Sequence, residues 1–442
     1  MKKALTLLLA LTMLLSLAAC GPKNDGKDPD ASGNNGELPT ITFYHSFFQD
    51  DWQPAVEMRK IYDEFAELHK DEFIFEAVAL ETGPEGVYNK CIQEISGGKF
   101  PDIVDTAGWN IVPAASEAGL ILDLKSYIDE DPDFKAGIGV NYEQNMVDGK
   151  IYTVREQLET MGFWYNEDLF QKAGADTPDK WQTWGDFVTA VDKLSACPDV
   201  KTPFSMNQGW PTDILFNAVL LGSQEGRDFL AQPLTTFDNA AFKEAIEFIS
   251  ENVLGRIDTA YFGAADFENY RDDFLRGDAA MLFNGVWEAG SFTGDLQIDP
   301  SVFKPAVFPT QEAGKTAAIM SASCGYVISN SMSEEKTRAA VEFVKYMCSP
   351  EIAERIFKNV LAMPAYLGLD YDQYINDSSL DPTIVKLAQA CKLAAGVDYQ
   401  TRAMNVNWSQ DTALALGGKY AAMHDGSKDA DTIIAELNET LK

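Results

Sequence analysis

The stretch ITFYHSFFQDDWQPAVEMRKIYDEFAELHKDEFIFEAVALETGPEGVYNKCIQEISGGKFPDIV, residues 41–104, decides the fold class. Ile41-Thr42-Phe43-Tyr44 reads as a strand, and Met58, Ile61, Tyr62 and Phe65 follow at i, i+3, i+4 and i+7, the spacing of one buried helix stripe. Phe73 to Leu80 is a second apolar strand, a helix-like stretch ends at Gly97-Gly98, and Asp102-Ile103-Val104 supplies a third strand. Strand alternating with helix is the signature of a mostly parallel sheet with right-handed crossovers, so the fold class is α/β. Further along, Thr183 can cap a helix over Trp184 to Ser195 whose Phe187, Val188, Val191 and Leu194 share a face. Another helix behind Ser333 carries Ala340, Phe343, Val344 and Met347 on one stripe and stops at Ser349-Pro350.

Around this stretch lie 442 residues, 46% of them hydrophobic, enough for a large core and for two or three domains. Asp and Glu number 68 against 35 Lys and Arg, and the net charge of -33 sets up a field that repels phosphate backbones; nucleic acid is excluded as a partner. His45, His69 and His424 stand far apart, and the cysteines at 20, 91, 197, 324, 348 and 391 form no CxxC pair. No metal site and no cofactor is read from such spacing.

Lys2 and Lys3 precede an apolar run from Ala4 to Ala19, shorter than the roughly 20 residues a membrane span needs. Residues 1–19 therefore read as a signal peptide. The run closes on Leu17-Ala18-Ala19-Cys20-Gly21, small residues before a cysteine, which reads as a bacterial lipobox: the Cys20 thiolate is the nucleophile that takes the lipid and becomes the mature N-terminus. Residues 20–38 then form a lipidated N-terminus and a solvated tether rich in Gly, Asn, Asp, Lys and Pro, with folding expected from Leu38. The lipid anchors an acidic body at the extracytoplasmic face of the membrane. Five cysteines remain after cleavage and read as small buried hydrophobes.

Several segments in a fixed order carry a resemblance. They are Gly97-Gly98-Lys99-Phe100-Pro101-Asp102-Ile103-Val104 with Glu117-Ala118-Gly119-Leu120-Ile121-Leu122-Asp123-Leu124; Asp148-Gly149-Lys150-Ile151-Tyr152; Phe163-Trp164-Tyr165-Asn166-Glu167-Asp168-Leu169-Phe170; Phe274-Leu275-Arg276-Gly277-Asp278-Ala279-Ala280-Met281 leading to Asn284-Gly285-Val286-Trp287; and Gly325-Tyr326-Val327-Ile328-Ser329. Together they resemble the extracellular solute-binding proteins of bacterial ABC transporters, in the carbohydrate-binding group similar to maltose-binding protein. The resemblance implies a two-lobed, type II periplasmic-binding-protein-like fold, with lobe one over 38–150 plus 305–350 and lobe two over 151–304 plus 351–442. It implies a monomer that closes by a hinge motion around a mono- or oligosaccharide and delivers it to membrane permease subunits. The chain departs from the family at Thr153-Val154-Arg155-Glu156-Gln157-Leu158-Glu159, where a proline-containing stretch is usual.

A sugar presents apolar C–H faces and a rim of hydroxyls, so its site needs flat aromatic rings together with carboxylates and amides. Loops beyond the carboxyl ends of strands are where such groups serve. His45 and Phe47 follow the first strand, Glu81 the second, and Trp109 and Asn110 the third, behind Gly108. By the resemblance, Glu159 holds the place of a sugar-binding carboxylate, and Trp210, Trp287 and Trp408 fall at aromatic platform positions; Trp210 is expected in a loop between Gly209 and Pro211. Trp52, Trp164, Trp181 and Trp184 are expected in the core. A secreted glycoside-acting enzyme is the first alternative, but it needs two carboxylates about 5–9 Å apart, and Glu81 and Glu159 belong to opposite lobes. GxSxG, P-loop and HExxH motifs are absent from the sequence, so no catalytic residues are assigned. A peptide-binding or adhesive lipoprotein is the second alternative.

Overall fold

In β1 (Thr40–His45) alternate side chains are buried, so Ile41, Phe43 and His45 point to one face of a four-stranded sheet. A computed structural model describes residues 38–206, 209–262, 267–292, 296 and 298–441 of the chain. The signal segment, Cys20 and nearly all of the tether lie outside the described residues. β1 pairs in parallel with β2 (Ile74–Ala79) and with β3 (Ile103–Gly108), and both connections carry helices, Gln53–Leu68 and Gly83–Ser96. The first helix buries Met58, Ile61, Tyr62 and Phe65, the stripe its sequence spacing predicts.

After a short hairpin of β4 (Met146–Val147) and β5 (Lys150–Ile151), the chain leaves this lobe and forms β6 (Gln157–Met161), β7 (Phe163–Asn166), β8 (Thr202–Phe204) and β9 (Ala279–Leu282). β10 (Phe303–Ala306), β11 (Phe308–Pro309) and β12 (Thr316–Ser321) follow, then β13 (Cys324–Ile328), β14 (Met363–Pro364) and β15 (Tyr399–Thr401). The first lobe's sheet runs β13-β3-β1-β2, with β13 antiparallel to β3. In the second lobe one sheet runs β10-β7-β9-β8 and another β11-β12-β6-β14, with β15 parallel to β12.

These pairings correct the expected lobe boundaries. β10 is bonded to β7 and β12 to β6, so the segment from 305 to 321 belongs to the second lobe. Ile151 and Val154 at one end, and Ile352, Ile356 and Val360 at the other, pack into the first lobe's core and extend it beyond 150 and 350. The backbone therefore crosses between lobes near residues 155, 322 and 361. The crossings run side by side because β6 is antiparallel to both β12 and β14.

One face of the first sheet is covered by the helices Gln53–Leu68 and Glu334–Met347, the other by Gly83–Ser96 and Val112–Glu117. Thr183 caps the helix Trp184–Ala196 in a capping box with Asp186. Trp164, Trp181 and Trp184 are core residues as expected, whereas Trp52 is 48% exposed at a helix start. Cys91, Cys324, Cys348 and Cys391 are buried free thiols and Cys197 is a partly exposed one. Among the described residues no helix is long and apolar enough to cross a membrane.

Phe343 is fully buried, with ring centroids 4.7 Å from Phe75, 4.8 Å from Phe43 and 5.1 Å from Phe65. Phe343→Ala is expected to cost about 3–5 kcal/mol of stability. Denaturant titration followed by circular dichroism measures it, and a cost under about 1 kcal/mol contradicts this core assignment.

Candidate ligand-binding cleft

A cavity of about 820 Å³ opens between the lobes, within the range of small-molecule sites. The first lobe lines it with Tyr88, the turn Ala107-Gly108-Trp109-Asn110 and Pro113; the second with Glu159, Trp210, Tyr270, Trp287 and the segment around Asn405, Val406, Trp408, Ser409 and Asp411. Six of the expected site residues meet there: Trp109, Asn110, Glu159, Trp210, Trp287 and Trp408.

His45, Phe47 and Glu81 are not among the lining residues, and each misses for a physical reason. β1 keeps its inward phase through residue 45, so His45 is 1% exposed, its Nδ1 accepts from the Phe47 amide at 3.2 Å, and burial with the nearby Arg59 charge holds its pKa down at about 4. The His45 ring is thus neutral at physiological pH and packs in the core, 4.9 Å from Tyr62. Phe47 is likewise buried, stacked 6.1 Å from Trp52. Glu81 lies exposed in the turn after β2.

At the end of β3 two successive residues adopt positive φ, Ala107 at 48° and Gly108 at 101°. Such backbone strain in a non-glycine residue concentrates at functional sites. It delivers Trp109, 44% exposed, to the cavity with its ring 5.5 Å from Tyr88. The φ of Gly108 favours glycine, and a Cβ there would crowd Glu159 Oε1 at 3.1 Å while making an ordinary 3.4 Å contact with Arg155 Nη1.

Opposite, Trp287 lies across Gly285, where an added Cβ would come 2.2 Å from the indole. Asn284 closes that turn, accepting from the Gly285 amide at 2.9 Å and donating to Glu288 Oε1 at 2.9 Å. Trp210 is not in a loop: with Pro211 behind it, it opens the helix Trp210–Leu221, since proline is favoured in a first turn. Trp408 packs edge-on against Phe229 and Phe237, at 5.6 and 5.9 Å.

Between the walls, β6 places Glu159 toward the cavity while its neighbours Leu158 and Thr160 are buried. Arg155 Nη1 donates to Glu159 Oε1 at 3.2 Å and to Ser323 Oγ at 2.5 Å. Asp105 and Glu156, 1% and 2% exposed, stand behind it. Burial opposes the Arg155 charge, but Glu159, Asp105 and Glu156 outweigh that and raise its pKa. Burial, then the charge of Asp105, push Glu156 up to about 7 against the pull of Arg155. The stretch that departs from the family thus forms a polar floor.

Tyr88, Tyr270, Asn405 and Asp411 were not singled out from the sequence. Ser409-Gln410-Asp411 is a legible helix start, and Ser409 does accept from the Thr412 amide at 3.1 Å. Nothing in the sequence pairs Tyr88 with Trp109.

Two lobes joined by three adjacent crossings, with an aromatic and acidic cleft between them, define a hinged binding protein. The family model described as bacterial extracellular solute-binding protein matches residues 52–354, and the chain belongs to that family. A Streptococcus pneumoniae solute-binding protein, solved in complex with the blood group A-trisaccharide, is 33% identical with a TM-score of 0.76, over 91% of this chain and 99% of that one. The galactooligosaccharide-binding protein of Bacillus subtilis (strain 168) is 22% identical across 100% of this chain and 97% of its own length. The maltodextrin-binding protein MdxE of the same organism is 22% identical over 83% and 81%.

Glu156 generates a pH prediction. Its native pKa lies above the ordinary 4.5, so the folded state holds more protons than the unfolded state between about pH 4.5 and 7. Stability therefore falls as pH rises through that window and levels off above it. The groups facing Glu156 are Asp105, Arg155, Tyr62, Tyr326 and Cys348. Glu156→Gln is expected to flatten this dependence, measured as melting temperature against pH; an unchanged slope contradicts it.

Proposed function

We propose that this protein is the substrate-binding lipoprotein of an ABC sugar importer, capturing an oligosaccharide in the interlobe cleft and handing it to the membrane permease. One observation carries the reading: four indole rings, those of Trp109, Trp210, Trp287 and Trp408, border one cavity with the carboxylates of Glu159 and Asp411. Indole faces match the C–H faces of pyranose rings, and ionised carboxylates accept paired hydrogen bonds from hydroxyls. Arg155 holds Glu159 as an acceptor from one side and leaves its rim to the cavity. The relatives that bind a blood-group trisaccharide, galactooligosaccharides and maltodextrin support a ligand of several sugar units.

Calorimetric titration with the blood group A trisaccharide, a galactooligosaccharide and a maltodextrin tests this. Glu159→Gln keeps the shape and removes the charge, and since a bond to a charged acceptor contributes about 1.5–3 kcal/mol, affinity is expected to fall roughly ten- to a hundredfold. Trp210→Ala and Trp287→Ala are expected to weaken binding with little loss of stability. Wild-type affinity in all three variants, or loss that tracks unfolding, means that these side chains pack the lobes and do not hold the ligand. Recovered glycan is expected unchanged by chromatography; new products favour a glycoside-acting enzyme.

The address is part of the same reading. Cys20 accepts the lipid and tethers the protein outside the membrane, within reach of a permease. Cys20→Ser is expected to abolish labelling by a fatty-acid analogue and to move the protein to the soluble fraction, because a hydroxyl cannot replace the thiol nucleophile. Persistent labelling of the serine variant sinks the lipobox.

A further inference from the structure

Arg402 makes no direct contact with the cleft, yet it touches both sides of the hinge. It follows β15 and precedes the short helix Met404–Asn407, whose residues Asn405 and Val406, with Trp408 beyond, line the cleft. Arg402 Nε donates to Asn407 Oδ1 at 3.1 Å, and Asn407 Nδ2 returns to Thr401 Oγ1 at 3.0 Å. From the other end of the guanidinium, Nη1 donates to the carbonyl of Gln144 at 2.8 Å. Gln144 belongs to the first lobe, and its side chain is itself a staple on the second crossing: Nε2 donates to the Met320 carbonyl at 2.8 Å, and Oε1 accepts from the Ala322 amide at 2.8 Å.

The next residue but one, Cys324, is already in the first lobe's sheet, and Ser323 between them is a partner of Arg155 on the cleft floor. The hydrogen bonds are therefore continuous from the wall bearing Trp408, through Asn407, Arg402 and Gln144, to the crossing that carries the floor. Among the described residues Arg402 has no carboxylate in an ion pair; its partners are neutral oxygens, at the edge of a separate cavity of about 590 Å³. A planar guanidinium can hold two such oxygens in fixed directions, which an ammonium cannot.

We infer that Arg402 is a positioning residue for ligand binding: it ties the cleft wall carrying Asn405 and Trp408 to the second interlobe crossing through Gln144, so that wall and hinge move together. The inference rests on the sugar-binding reading for its affinity readout only.

The test uses the whole chain with Arg402→Met, Arg402→Lys and Asn407→Ala, singly and with Arg402→Met combined with Asn407→Ala. The probes are the blood group A trisaccharide and the galactooligosaccharide, titrated calorimetrically. Small-angle X-ray scattering of the ligand-free proteins reads the separation of the lobes. Arg402→Met is expected to weaken binding at least tenfold and to shift the ligand-free scattering, with a melting transition as cooperative as that of wild type. Arg402→Lys keeps the charge but not the two-way grip and is expected to resemble Arg402→Met. The double variant is expected to lose less than the sum of the two single losses, since both changes cut the Arg402–Asn407 bond, although Asn407→Ala also removes the bonds to Thr401 and to the Arg402 carbonyl. Unaltered affinity and scattering in Arg402→Met, full binding by Arg402→Lys, additive losses in the double variant, or a loss that only follows unfolding would each overturn the inference. Should neither glycan bind the wild-type protein, the sugar-binding reading fails for these probes and scattering alone decides the strut: a shifted curve for Arg402→Met upholds it, an unchanged one overturns it.

Discussion

Arg155, at the point where the chain first leaves lobe one, is gripped by both its backbone and its side chain. Asn141 accepts from its amide at 3.0 Å and donates to its carbonyl at 3.1 Å, while the guanidinium holds Ser323 at the second crossing and Glu159 on β6. A charge this deeply buried persists only with partners, and Asp105, Glu156 and Glu159 supply them. The consequence is mechanical as well as electrostatic. The guanidinium thus links the first crossing to the second, and the β6 pairings with β12 and β14 bring in the third.

The floor is therefore built from interactions that tolerate little displacement, whereas the walls are carried by separate lobes. Three of the rings are supported where they stand: Trp287 on Gly285, Trp408 against Phe229 and Phe237, and Trp109 beside Tyr88 beyond a strained turn. In the proposed sugar-binding role, rings held in advance lose little freedom on binding, which leaves more of the stacking energy for affinity. In the same proposed role, hinge closure would bring Trp109 and Asn110 toward the second lobe's aromatic rings.

The acidic character of the whole chain extends into the cleft. Its charged lining residues, Glu159 and Asp411, are carboxylates, and the basic group at the floor is turned to its acidic partners and to Ser323. The two carboxylates accept, while the amides, hydroxyls and indole N–H groups of the same lining can donate, which suits a ligand rimmed with hydroxyls.

Much of the fold was legible in the order of residues, because periodicity is a local property. The stripe Met58, Ile61, Tyr62, Phe65, the cap at Thr183 and the strand at Ile41 each follow from spacing within a few residues. The expected platforms Trp210, Trp287 and Trp408 reached the cleft, as did Trp109 and Asn110 after a strand end. His45 and Phe47 did not, since whether a strand's last residues face inward or outward depends on where the sheet's neighbours end. The lobe boundary near 305 was misplaced for a related reason: only the pairing of β10 with β7 and of β12 with β6 shows which sheet that segment joins. Asp105, Arg155 and Glu156 look like ordinary charged residues in sequence; their meeting behind the cleft arises from contacts across about 50 residues, from β3 to the first crossing. Spacing along the chain thus determined the elements and several of the rings, while the sharing of one guanidinium among distant carboxylates, and the meeting of two lobes around it, were decided only by the tertiary structure, because burial and charge pairing act through space.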